Sequence, residues 1–145
     1  MTEAGRPGLT PGVKATLRHT VAPADCADAI GSGGVRVLST PHLIALMERA
    51  AMAAAAPHLL PGETTVGTRV EVEHLEACPP GVEVVAEAKL REVDGRRLRF
   101  DVAVTAGERV LGRGRHERFV VERERFLTRL KEKWPADGGP PTGRL

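Results

Sequence analysis

The sequence predicts an α+β domain in which an antiparallel sheet of about five strands wraps around one long central helix. Three observations lead there. Residues 41–56 are built almost wholly from strong helix formers, and only Glu48 and Arg49 among them carry a full charge. After that run, apolar and polar residues alternate with period two. The alternating runs are separated by short turn signals, so successive strands fold back on one another as hairpins. A single apolar helix must then lie across the concave face of the sheet.

The elements follow in order. Residues 1–11 are polar with Gly and Pro and read as a loose arm. Val13, Ala15, Leu17, His19 and Val21 alternate with Lys14, Thr16, Arg18 and Thr20, the pattern of a half-buried strand. Residues 22–34 form a loop ending in Gly-Ser-Gly-Gly, and Val35 to Leu38 lead into the helix. Thr40 suits the N-cap and Pro41 the first helical position, where its missing N–H costs nothing. Leu43, Ile44, Leu46, Met47, Ala50, Ala51 and Ala54 fill one broad side. Ala45, Met52, Ala53 and Ala55 leave the other side nearly as bland, so this helix calls for cover on most of its circumference. It ends near His58, where Pro57 hinders continuation.

Four strands follow. The first runs from Thr65 to Leu75, with Val66, Thr68, Val70, Val72 and His74 on one face and Gly67, Arg69, Glu71 and Glu73 on the other. The next puts Val82, Val84, Ala86, Ala88 and Leu90 in phase, and Asp94-Gly95 signals a hairpin into Leu98, Phe100, Val102 and Val104. A last long strand spans Arg109 to about Val121. A charged helix over 122–133 follows, with Phe126, Leu127 and Leu130 as a thin apolar stripe. The domain is therefore placed at 12–134, with 1–11 and 135–145 as flexible tails.

Composition excludes several classes. No run of 18 apolar residues is present to span a membrane, and the N-terminus has no signal-peptide core. Cys26 and Cys78 lie far apart without a CxxC motif, so free thiols in a cytoplasmic protein are expected and no metal site is. A net charge of +2, with 3% aromatics and no Tyr, lacks the stacking platform and basic footprint of a nucleic-acid binder.

Two residues stand in unusual company. His74 shares a strand face with valines, and Glu48 lies in an apolar helix among Ile44, Ala45, Ala51 and Met52. The local pattern leaves both roles open. His74 reads as a strand-end histidine satisfied by a carbonyl or as a working imidazole. Glu48 reads as a surface partner of Arg49, as the partner of a strand arginine, or as a buried carboxylate tuned for acid–base work.

The spacing Thr40–x7–Glu48–x18–Gly67–x6–His74, followed by Gly114-Arg115-His116-Glu117-Arg118, resembles the fluoroacetyl-CoA thioesterases of the hotdog-fold superfamily. LMERA at 46–50, VGT at 66–68, PPG at 79–81 and VDGRRL at 93–98 add to it, as does the stretch around 56–63. The likeness runs from Leu38 to Lys133, about two thirds of the chain. It implies a homodimeric acyl-CoA thioesterase, with association into tetramers left open. It further implies a catalytic set of Thr40, Glu48 and His74, with Gly67 and Arg118 at the acyl end of the pocket. No cofactor is implied, coenzyme A being part of the substrate. Thioester hydrolysis needs a nucleophile or activated water, a base, and a polar site for the developing oxyanion. Glu48 fits attack or water activation, His74 proton transfer, and Thr40 donation beside helix N-terminal amides.

The family carries aromatic residues just before the matching threonine. Here residues 22–38 contain none, and the position six before Thr40 is Gly34. Selectivity for a fluorinated acyl group is thereby put in question. Arg96, Arg97, Arg113 and Arg115 read equally as partners of the CoA phosphates or as a solvated strand face. Eight residues of regular helix span about 12 Å, so Thr40 and Glu48 are expected to meet only across a two-fold between chains. The competing functions are an acyl-CoA or small-acid binding protein without turnover and an enoyl-thioester hydratase.

Overall fold

The computed structural model describes residues 5–134; the predicted C-terminal tail lies outside them. Five strands, β1 (Lys14–Thr20), β2 (Glu63–His74), β3 (Glu83–Asp94), β4 (Arg97–Ala106) and β5 (Arg109–Glu122), form one antiparallel sheet in the order β1-β3-β4-β5-β2. Between β1 and β2 come a 3₁₀ turn (Pro23–Asp25), a single helical turn α1 (Ala27–Ile30) and the long helix α2 (Thr40–Ala55). A 3₁₀ turn (Ala56–His58) extends α2, and α3 (Arg123–Lys133) closes the described chain. The α+β fold expected from the sequence is the one observed.

Inward residues of β3 and β4 build most of the core. Val84, Ala86, Ala88, Leu90, Leu98, Phe100, Val102 and Val104 are buried against Leu43, Leu46, Met47, Ala50, Ala51 and Ala54 of α2. The hairpin between β3 and β4 turns at Gly95, whose φ of +60° at the first central position is open to glycine without strain.

Four expectations need correction. The strands after α2 are not all hairpin neighbours: β2 pairs with β5 at one edge, and residues 75–82 carry the chain across to β3. A Pro-Pro-Gly turn looks locally like a hairpin but fixes no partner. Residues 6–9 are no loose arm: Leu9 is buried, and Arg6 is bound by both oxygens of Glu63. Part of the bland side of α2 stays uncovered in the single chain: Met52 and Ala53 are exposed, whereas Ala55 is buried.

The fourth correction concerns β2. Its pairing with β5 shifts register between Gly67 and Arg69, and an inserted residue reverses the side-chain alternation. Thr65 and Gly67 therefore face inward opposite Val120 and Arg118, while beyond the bulge Val70, Val72 and His74 take the inward face. Gly67 and His74 are seven residues apart, an odd number that would put them on opposite faces of a regular strand. The bulge is what turns both toward α2.

Candidate active site

The start of α2 positions Thr40. Ser39, not Thr40, is the N-cap: its Oγ accepts from the His42 N–H at 3.1 Å, leaving Thr40 and Pro41 as the first two helical residues. Both Ser39 and Thr40 are good capping residues, and the sequence pattern does not separate them. The consequence is chemical: the Thr40 hydroxyl is not spent on the backbone. It lies 2.7 Å from Nδ1 of His74, which comes from the far end of β2. The other ring nitrogen, Nε2 of His74, is buried and makes no hydrogen bond among the described residues.

Two turns along α2, Glu48 occupies a second cluster. Its Oε2 lies 3.5 Å from Nη1 of Arg118, whose side chain is 6% accessible against 43% for Glu48. Glu48 is thus neither deeply buried nor unpaired; of the readings the sequence left open, the strand-arginine partner is the one present. Arg118 is held on its other sides. Nε donates to Thr65 Oγ1 at 2.8 Å, Nη2 to the Thr65 carbonyl at 3.0 Å, and Nη1 faces His116 Nε2 at 3.1 Å. With Nη1 donating to Nε2, the His116 proton sits on Nδ1 and is donated to the Arg69 carbonyl at 2.7 Å. The carboxylate therefore meets a guanidinium fixed by three hydrogen bonds to two residues, Thr65 and His116.

Gly67 completes this cluster by what it lacks. A Cβ there would come 2.8 Å from Glu48 Oε2, 3.2 Å from His116 Cε1 and 3.3 Å from Arg118 Nη1. The clashing carboxylate is the flexible end of a side chain, so Gly67→Ala is expected to fold but to displace Glu48. A misplacement of about 1 Å costs on the order of a hundredfold in rate. Kinetics of Gly67→Ala beside its melting temperature check this: a normal melt with full activity would refute it.

Sequence reasoning missed His116, Thr65 and Ser39. His116 lies in the family-like stretch 114–118 and shares a strand face with Arg118, two residues on. That parity was the available signal. Burial holds its pKa below 6.5; the neighbouring Arg118 pushes the same way, while the Arg69 carbonyl, Glu48 and Glu117 oppose it. The folded chain thus refuses a proton that the unfolded chain takes up. This contribution to stability is full above about pH 6.5 and is lost as pH falls toward the depressed folded value, by up to about 1.4 kcal/mol per pH unit. Melting temperature measured from pH 7.5 down to 5 is expected to fall less steeply for His116→Gln than for the natural chain.

The two clusters do not meet. The regular helix separates Thr40 from Glu48 by about 12 Å, and β2 separates His74 from Gly67 by roughly 20 Å. A shallow depression of about 270 Å³ beside Glu48 is lined by Ala45, Arg49, Met52 and Arg118. A larger groove of about 310 Å³ lies among Arg69, Arg91, Arg99, Arg115 and Glu117, away from Thr40 and Glu48. Of the four arginines weighed for phosphate contact, only Arg115 lines it. Arg96 instead reaches the Val120 carbonyl and Glu63. No helix among the described residues is long and apolar enough to cross a membrane.

Comparison with known proteins places this arrangement. The family profile described as fluoroacetyl-CoA-specific thioesterase (FlK) matches residues 21–124. The fluoroacetyl-CoA thioesterase of Streptantibioticus cattleyicolor is 43% identical over 100 residues, covering 69% of this chain and 72% of that one. A solved structure of the fluoroacetyl-CoA thioesterase FlK superposes with a TM-score of 0.80 at 35% identity, covering 87% of this chain and 98% of that chain. A hot-dog-like protein from Thermanaerovibrio acidaminovorans shares the fold with a TM-score of 0.82 at 21% identity, over 90% and 97% of the two chains. With a hotdog-type sheet around its central helix and a family match over most of its length, the chain belongs to the fluoroacetyl-CoA-specific thioesterase family of thioester hydrolases.

Proposed function

We propose that the protein hydrolyses a short acyl-CoA thioester at a site shared by two chains, with Thr40 and His74 from one and Glu48 from the other. The observation that carries this reading is the Thr40–His74 hydrogen bond, made by a hydroxyl that Ser39 has relieved of capping. Arg118 holds one oxygen of Glu48 while much of that side chain stays accessible. Glu48 then either takes a proton from the attacking water or itself adds to the thioester carbonyl. In the second route, loss of CoA thiolate leaves an anhydride that water opens. His74 Nε2, without a hydrogen bond among the described residues, is suited to water or substrate, and Thr40 to donation at the developing oxyanion.

Two features support the second chain. Strand β2 is twelve residues long and ends the sheet with an edge that no other described strand pairs, which natural sheets seldom leave bare. A two-fold near Val70 and Glu71, midway between Gly67 and His74, sets His74 against the partner's Gly67 and unites the two clusters. It also covers the bare side of α2 around Met52. A homodimer is therefore the working unit of this proposal, and a monomer with full activity would sink that part.

The acyl group is short, because Glu48, Arg118 and His116 crowd the end of the site around Gly67. A fluoroacetate complex is known for a threonine-to-alanine variant of the FlK relative. This chain has no aromatic residue in 22–38, so discrimination between fluoroacetyl- and acetyl-CoA is expected at about tenfold or less. Free-thiol release from acetyl-, fluoroacetyl- and longer acyl-CoAs tests the reading. Absence of release across the panel would favour a binding protein and overturn hydrolysis.

A further inference from the structure

His19, Asp25 and His42 come from three elements and meet beside the start of α2. His19 lies near the end of β1, Asp25 closes the 3₁₀ turn, and His42 belongs to the first turns of the helix. His19 Nε2 is 2.8 Å from Asp25 Oδ2, and His42 Nε2 is 3.5 Å from Asp25 Oδ1. All three donor atoms fall within 4.8 Å of one another. A tetrahedral ion with bonds of about 2.0–2.2 Å sets its ligands about 3.4 Å apart, so small side-chain shifts bring this set to that spacing.

We propose that His19, Asp25 and His42 bind one divalent ion of the zinc class, with the remaining position left to water. Three observations carry it. Nε2 of His42 is shut off from solvent and makes no hydrogen bond among the described residues, an unmet need that buried polar atoms seldom keep. Asp25 is already oriented from outside the cluster: Oδ2 accepts from the Ala22 N–H at 2.8 Å, and its carbonyl accepts from the Ser39 N–H at 3.0 Å. Two imidazoles and one carboxylate form a borderline donor set that suits zinc. In the metal-free chain His19 donates its Nε2 proton to Asp25. The ion takes the place of that proton at Nε2, and the neutral ring carries its proton on Nδ1 instead.

The site uses none of Thr40, Glu48 and His74, and its role is structural. It ties β1, the 3₁₀ turn and α2 together two residues beyond Thr40, fixing the turn that presents the hydroxyl. Spacing in the sequence hides it, because the ligands are spread from 19 to 42 without any metal-binding motif.

The test titrates the metal-stripped full chain with Zn²⁺ by calorimetry, and with Co²⁺ by visible absorption. One ion per chain is expected, together with a higher melting temperature in zinc. His19→Ala and His42→Ala should each weaken binding at least about tenfold, and zinc should no longer raise their melting temperatures. Asp25→Asn removes a backbone contact as well as a ligand, so the two histidine variants carry the test. His58→Ala, remote from the cluster, should bind as the natural chain does. Failure to bind one equivalent, or equal binding by the His19→Ala/His42→Ala double variant, would overturn the site and leave an ordinary histidine–aspartate pair.

Discussion

Glu48→Gln is expected to lower kcat for thioester hydrolysis by about 10²–10⁴-fold while the protein folds normally. The substitution keeps the size of the side chain and an oxygen that can accept from Arg118 Nη1. It removes the only property the proposed chemistry needs, a carboxylate able to take a proton or to attack a carbonyl. Because 43% of the Glu48 side chain is accessible, the amide can stay hydrated and should not unsettle the core. Arg118 keeps both contacts to Thr65 and its contact to His116. The loss should fall on kcat more than on KM, since the interaction removed belongs to the transition state. Thiol release under saturating acyl-CoA, beside a thermal melt, reads both quantities. Unchanged turnover would take Glu48 out of the mechanism.

The sequence made some parts of this site legible and hid others for physical reasons. The central helix and the strand periods are local properties, written in residues a few positions apart. The β3–β4 hairpin is equally local, because Asp94-Gly95 supplies the turn. The sheet order is not local: nothing in 75–82 says that β2 will leave β3 and pair with β5. Parity failed where the bulge between Gly67 and Arg69 reversed it. A bulge adds one residue without any fixed composition, so alternation alone assigned Gly67 to the wrong face. Glu48 and Arg118 were each visible as candidates, yet their pairing depends on β5 lying under the middle of α2. The local pattern shows Thr40 only as a cap, and its place in a catalytic set came from the family resemblance alone. Only the choice of Ser39 as N-cap makes its hydroxyl a partner for His74.

Gly114→Ala should be the most destabilising small substitution near the site, at about 3 kcal/mol or more. Gly114 sits in β5 opposite Val72 of β2 and Val102 of β4. A Cβ there would lie 2.1 Å from the Glu71 carbonyl oxygen, 2.6 Å from the Val72 Cα and 2.7 Å from Val72 Cγ1. Two of these are backbone atoms of a paired strand, so no rotamer change relieves the contact. The contrast with Gly67 is informative, because there the nearest atom is the movable end of Glu48. At Gly114, β2 itself must shift away from β5, and β2 carries both Gly67 and His74. Melting temperature is therefore expected to drop by roughly 10 °C. Activity should fall even at temperatures where the variant stays folded, because displacing β2 moves His74 away from Thr40. A variant that melts like the natural protein would show that β2 can give way at Val72 without cost. The close approach of β2 and β5 would then not be what holds His74 in place.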